Sequence, residues 1–249
     1  MSQSSASDFA TRLTNAERRQ DWPNVRPADA ATLVLIDRKG KKPRVLMGRR
    51  HPKLKFLPGV FVFPGGRLEK TDRSMPVYGV LDADSERRLM ARVQRPTLSR
   101  CRGLAAAAIR EMYEETGLLV GTKELGAPQA PSEHWKVFQD RGVFPDLAAL
   151  TYVARAITPP RRPKRFDTRF FAADAGAVCD EVKGLVGEDS ELIELAWLTF
   201  EETQKQDLPT VTRVVLEELA GRLDAGFGTR LPVPFYSMHH GRFVRTLLD

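Results

Sequence analysis

Cysteine is scarce. The 249-residue chain has two, Cys101 and Cys179, which give no disulfide framework and fit a reducing cytosol. Each reads as a small buried or half-buried residue rather than a metal ligand. Long apolar runs are missing as well. No stretch approaches the roughly 18 residues that span a bilayer, so no membrane partner is expected. The first thirty residues set Asp8, Arg12, Glu17, Arg18 and Arg19 among Ser and Ala, without the apolar segment of a secretory signal. The last three, Leu247-Leu248-Asp249, are not the Ser-Lys-Leu peroxisomal address. A cytoplasmic protein is the expectation. There is no internal repeat.

Positive charge is in excess. The net charge is +7 and the isoelectric point about 9.6, which favours polyanionic partners, nucleotide or nucleic acid. The charge is scattered over Lys41-Lys42, Arg49-Arg50, Arg161-Arg162 and Lys164-Arg165 and does not choose between them. A hydrophobic content of 42% is enough for one sizeable core.

Read in order, residues 1–27 are polar and aperiodic and are expected to form a flexible arm. Ala31–Ile36 and Arg44–Arg50, separated by the Asp37-Arg38-Lys39-Gly40 turn, read as a hairpin. Val60–Phe63 leads into Pro64-Gly65-Gly66, where two glycines permit a tight turn and close approach of the backbone to a ligand. Asp84–Val93 has amphipathic helical spacing that Pro96 ends. A helix from about Leu104 to Thr116 should stop at Gly117 in a left-handed conformation. Leu118–Val120 reads as a short strand, and Ser132–Gln139 as a helix with Ser132 as its N-cap. Strands follow at Leu150–Ile157, Lys164–Ala172 and Leu192–Leu198, the first two as antiparallel neighbours. Thr199 to about Gly221 reads as helix interrupted near Pro209, and the tail beyond as irregular. Strands, one helix, strands and a helix make an α+β order.

Arg110-Glu111-Met112-Tyr113-Glu114-Glu115-Thr116-Gly117-Leu118 carries the chemistry. Glu111, Glu114 and Glu115 are spaced i, i+3, i+4 and share one helix edge. Three carboxylates there repel one another unless a cation lies between them, and hard oxygen ligands suit Mg²⁺ or Mn²⁺. On their own, residues in this pattern more often form a solvated face of Arg–Glu pairs.

The nonapeptide decides between the two, because it resembles the second half of the Nudix box, G-x5-E-x7-R-E-U-x-E-E-x-G-U with U a bulky aliphatic residue. Arg110, Glu111, Met112, Glu114, Glu115, Gly117 and Leu118 fill all seven specified positions. The first half is displaced. Counted from Gly66, the acidic position is Asp72, and the Arg stands at 110 where the unbroken pattern puts it at 80, so 30 residues interrupt the box. The split resembles a branch that includes peroxisomal coenzyme A diphosphatases. Upstream, Leu46, Arg50, Gly59, Phe63, Pro64, Gly65 and Gly66 match that branch's L-L-T-x-R-S-x3-R-x3-G-x3-F-P-G-G, with Met47 and Lys55 as conservative changes and Gly48 and His51 as departures.

The resemblance implies an α/β/α sandwich with a mixed sheet, a Nudix domain over 28–205 with a helical insertion at 73–102, and a helix and tail at 206–249 packed on it. It implies hydrolysis of a phosphoanhydride in a nucleoside diphosphate linked to another moiety, first coenzyme A or an acyl derivative. NADH, ADP-ribose or a nucleotide sugar are alternatives, and a non-catalytic nucleotide- or RNA-binding module is the reading from another class. No aromatic-interleaved basic motif supports RNA. By resemblance Glu114 and Glu115 hold Mg²⁺ or Mn²⁺, joined by Glu111, the Gly65 carbonyl and more weakly Asp72. Arg110 orients the carboxylates, and Glu111 doubles as ligand or general base. Glu191 and Glu194, ahead of Trp197, are further base candidates, with surface carboxylates as the equal alternative. Arg50, Lys55 and Arg165 are the substrate-binding candidates. His239-His240 reads as structural or exposed. Nudix domains often dimerise, which makes a homodimer the expected assembly.

Overall fold

The structure is a computed structural model that describes the backbone of residues 3–16 and 21–249. The chain runs through α1 (Gln3–Ala16), β1 (Ala28–Asp37), β2 (Arg44–Arg50), β3 (Phe61–Val62) and β4 (Gly65–Arg67). It continues as α2 (Ala83–Met90), α3 (Leu98–Thr116), β5 (Leu118–Thr122), α4 (Lys136–Asp140) and β6 (Phe144–Pro145). Next come β7 (Thr151–Ile157), β8 (Phe166–Asp174), β9 (Val178–Glu181), β10 (Leu192–Thr199) and α5 (Phe200–Gln204). It ends with α6 (Thr210–Asp224), β11 (Val233–His239) and β12 (Arg242–Leu248).

The main sheet has the order β10-β2-β1-β8-β7-β11-β12, with β3 on β2 and β4 on β1. β1 runs parallel to β8 and β11 to β7, the other pairs being antiparallel, so the sheet is mixed. Strand alternation divides β1 between two cores. Leu33 and Leu35 pack with Leu104, Ala105, Ile109 and Met112 of α3, whereas Val34 and Ile36 pack with Val214, Val215 and Leu219 of α6. Fully buried alanines on α3 let the helix lie close to the sheet. The result is the expected α/β/α sandwich. A small sheet, β6-β5-β9, adjoins it. Among the described residues no helix is long and apolar enough to cross a membrane.

Helix α3 begins at Leu98, six residues before the sequence suggests. The Thr97 hydroxyl accepts from the Arg100 amide at 3.2 Å and caps it, while Gly117 ends it at φ 82° as expected. The insertion therefore supplies the first turn of the box helix. Arg100 clamps Asp29 of β1 through two bonds of 2.7 Å, and Arg102 pairs with Glu86 of α2 at 2.9 Å.

Both chain ends differ from expectation. In place of a flexible arm, residues 3–16 form α1, with Phe9 and Leu13 buried on the α6 face and Arg12 bonded twice to Glu217 at 2.8 and 2.9 Å. Glu17, Arg18 and Arg19 lie outside the described residues. The tail is a hairpin in which β11 and β12 pair in register from Val233↔Leu248 to His239↔Arg242. Its two-residue turn, His240-Gly241, has φ 47° and 77°, the left-handed pair that a tight hairpin requires. Ser132 does not cap a helix through its side chain; a short 3-10 turn at Glu133–Trp135 precedes α4 instead.

Candidate active site

The box residues meet the Gly65-Gly66 turn through β1. Gly65 pairs with Thr32 and Gly66 with Ala31, which sets β4 against the C-terminal half of α3. A β-carbon on Gly66 would overlap the Glu111 carboxyl, so the missing side chain is what seats that carboxyl. The Gly65 amide donates to Glu115 Oε2 at 3.3 Å. Gly66→Ala is expected to displace Glu111 and to cost about 1–3 kcal/mol by overpacking, checked by urea unfolding alongside activity.

Arg110 organises the carboxylates from inside, with a side chain 1% exposed. Its Nε and Nη2 donate to the two Asp72 oxygens at 2.8 and 3.1 Å, and Nη2 also reaches the Arg67 carbonyl at 2.8 Å. Nη1 divides between Glu111 Oε1 at 2.8 Å and Glu114 Oε2 at 2.7 Å. Burial works against its charge, but the bonds to Asp72 and the charge of Glu111 outweigh it and keep the guanidinium protonated.

Asp72 corrects the sequence reading. Its carboxyl is fully buried, and its Oδ1 accepts from Arg110 and from Trp135 Nε1 at 3.2 Å while its Oδ2 accepts from Arg110 and the Glu69 amide at 2.7 Å. With both oxygens engaged by donors, Asp72 anchors Arg110 and is not placed to ligate a metal. Sequence reasoning missed two residues here. His134 Nδ1 lies 2.7 Å from Glu114 Oε1, a bond that raises the imidazole pKa, and Trp135 is completely buried. The available signal was the Trp135 indole N–H, which needs a partner when buried.

Burial pushes the Glu111 carboxyl up to about 7, against the pull of Arg110. Glu115 is held well above the ordinary carboxylate range, first by burial and then by the charges of Glu191 and Glu111. Among the described residues no three His, Cys, Asp or Glu side chains converge as a ready-made metal cage. The donor set nonetheless fits a hard divalent cation. Its oxygens are carboxylates whose shared charge is under-compensated, and a cation between Glu111 and Glu115 would relieve that penalty.

The remaining candidates separate. Arg50, anchored on the Phe56 carbonyl at 3.2 Å, donates to Glu191 Oε1 at 2.6 Å, and Glu191 lies near enough for its charge to act on Glu115. Glu194 is turned the other way. It pairs with Arg49 at 2.8 Å, and Arg49 stacks on Phe61 at 4.3 Å, a ring of the core opposite α3. The bulge between Leu192 and Glu194 and the Arg49 pairing thus set Glu194 on the face away from α3. Arg50 and Glu115 line a cavity of about 220 Å³ with Thr32, Phe63, Gly65 and Phe166. Lys55 is exposed on the preceding loop and Arg165 is outside that lining. Both histidines of the tail are exposed at the hairpin tip, as expected.

No family model matches the chain. A Caenorhabditis elegans protein named as a nudix hydrolase is 27% identical over 180 residues, covering 68% of this chain and 50% of its own. The chain thus spans about half the length of that curated relative. The crystal structure of a Nudix hydrolase from Alicyclobacillus acidocaldarius is 26% identical, with a TM-score of 0.59 over 83% of this chain and 97% of its own. Those likenesses join seven box positions carried on a helix that packs against the Gly65-Gly66 turn of an α/β/α sandwich, and in sequence and fold the chain is similar to Nudix hydrolases.

Proposed function

We propose that the chain hydrolyses a phosphoanhydride in a nucleoside diphosphate linked to another moiety, with Mg²⁺ or Mn²⁺ as cofactor and coenzyme A or acyl-coenzyme A as first substrate. The observation that carries the reading is the seating of Glu111 and Glu114 on one buried guanidinium and of Glu115 on the Gly65 amide, beside a cavity lined by Glu115 and by Arg50, which holds Glu191. A binding module has no use for Glu111 and Glu115 carboxyls pushed above their ordinary range by burial and then by neighbouring carboxylates.

A divalent cation held by Glu111, Glu114, Glu115 and the Gly65 carbonyl would neutralise phosphate oxygens and lower the pKa of a bound water. Arg110 fixes the rotamers of Glu111 and Glu114, and Gly66 leaves room for Glu111. Arg50 orients Glu191 and with Lys55 faces the substrate's negative charge. Glu191 or Glu111 takes the proton from the attacking water as its oxygen bonds to phosphorus. The bridging P–O bond breaks, and the oxygen leaves with its electron pair on a phosphate monoester. From coenzyme A the products are 3′,5′-ADP and 4′-phosphopantetheine.

Coenzyme A, acyl-coenzyme A, NADH, ADP-ribose and a capped RNA, assayed with Mg²⁺ and with Mn²⁺, test the reading against Glu114→Gln. Cleavage of coenzyme A, lost by about a hundredfold or more in the variant and absent in EDTA, is expected. Preference for another substrate would leave the mechanism and remove the coenzyme A assignment. Metal-independent or absent turnover on all five would sink the hydrolase reading. A sedimentation measurement checks the proposed homodimer.

A further inference from the structure

We propose that a second cavity, at the ends of β7 and β11, is a subsite for a phosphomonoester that the substrate carries in addition to its diphosphate. The inference rests on the reading of the chain as acting on a nucleoside diphosphate derivative and adds what else that substrate must carry. The cavity measures about 380 Å³ and is lined by Arg92, Arg165 and His239 with Thr158, Ser237 and Phe235, and among the described residues no acidic side chain lines it. Thr158 also lines the cavity that holds Arg50 and Glu115, so one ligand can extend from the first cavity into the second.

Among the described residues Arg165 has no counter-ion. Its Nε donates to the Thr158 carbonyl at 3.1 Å, and its Nη1 to Asn24 Oδ1 at 2.9 Å and the Val25 carbonyl at 2.6 Å. All three acceptors are neutral. Burial lowers its pKa, and no carboxylate among the described residues offsets it, the condition in which a guanidinium gains most from an anion. These bonds also hold the fork in place before any ligand arrives.

Arg92 approaches from the insertion, at the end of the segment that follows α2. Its backbone is left-handed at φ 54°, which is strained for a residue with a β-carbon. Arg155, clamped on Asp167 through bonds of 2.8 and 2.7 Å, reaches the carbonyls of Ala91 and Arg92 at 3.1 and 3.4 Å and fixes that backbone. On the facing strand, His239 Nε2 lies 3.0 Å from Ser237 Oγ. Two guanidinium groups, an imidazole and a hydroxyl around an acid-free cavity match a phosphate dianion better than a carboxylate. The insertion is then a wall of the substrate site.

Calorimetric titration of the full chain with 3′,5′-ADP and with 5′-AMP, in Mg²⁺, tests the subsite. The wild type is expected to bind 3′,5′-ADP roughly tenfold tighter than 5′-AMP, the effect of one charge-assisted contact. Arg92→Glu should abolish that preference and Arg92→Lys, which keeps the charge, should retain most of it. Arg92 is exposed, so both variants should melt like the wild type. Equal affinities in the wild type, including no binding of either, or a preference that survives Arg92→Glu, would overturn the subsite. The failure of the hydrolase reading looks different: no substrate turns over, while the preference for 3′,5′-ADP still decides the subsite.

Discussion

A Glu115→Gln protein is expected to lose turnover by about a thousandfold while resisting heat better than the wild type in EDTA. Glu115 is crowded by protein atoms and repelled by Glu191 and Glu111, with the Gly65 amide and the more distant Arg50 as its support. Its folded-state pKa is raised, so the ionised form is less favourable in the folded than in the unfolded chain at neutral pH. A neutral amide of the same shape removes that penalty, and each kcal/mol recovered raises the melting temperature by about 2–4 °C in a chain of this size. Mg²⁺ should reverse the order, because an ion bound only by the folded wild type adds RT ln(1 + [L]/Kd) to its stability. Differential scanning calorimetry of both proteins, with and without Mg²⁺, measures this. A variant that melts lower in EDTA, or that gains as much from Mg²⁺ as the wild type, would remove Glu115 from the metal site.

Arg110→Met is expected to lower the unfolding free energy by about 3–5 kcal/mol, the usual consequence of leaving a buried charge without its partner. Asp72 would be that charge. It sits beneath the helix with only the Trp135 indole and the Glu69 amide left as donors, and Glu111 and Glu114 would lose their shared donor. Activity should fall with stability, since the carboxylates would no longer be held. Asp72→Asn separates the two roles assigned to position 72. As the anchor of Arg110 it should lower the urea midpoint and leave Mg²⁺ affinity in the folded protein near the wild-type value. A folded Asp72→Asn protein with strongly weakened Mg²⁺ binding would return Asp72 to the ligand set.

The contrast between Glu114 and Glu194 shows where a sequence stops being informative. Glu111, Glu114 and Glu115 were legible because i, i+3, i+4 spacing fixes their relative directions on any helix, and the Gly117 stop was legible because a left-handed residue favours glycine. Strand period alone could not orient Glu191 and Glu194 towards the same cation. The bulge between Leu192 and Glu194 and the pairing of Glu194 with Arg49 place them differently. Asp72 matched a motif position by count, yet its chemistry depends on Trp135, 63 residues away.

Local chemistry by itself therefore determined the box helix, the glycine turn and the strand set around them. The chain ends needed the tertiary structure. Phe9 and Leu13 are too few to mark a helix until the α6 face covers them, and the Pro- and Gly-containing tail becomes a hairpin because β7 offers it an edge. Partnerships across the sheet decided the rest: Arg110 on Asp72, Arg50 on Glu191 and Arg165 facing a second cavity. Spacing along a helix is set by covalent geometry, whereas long-range pairing is set by packing.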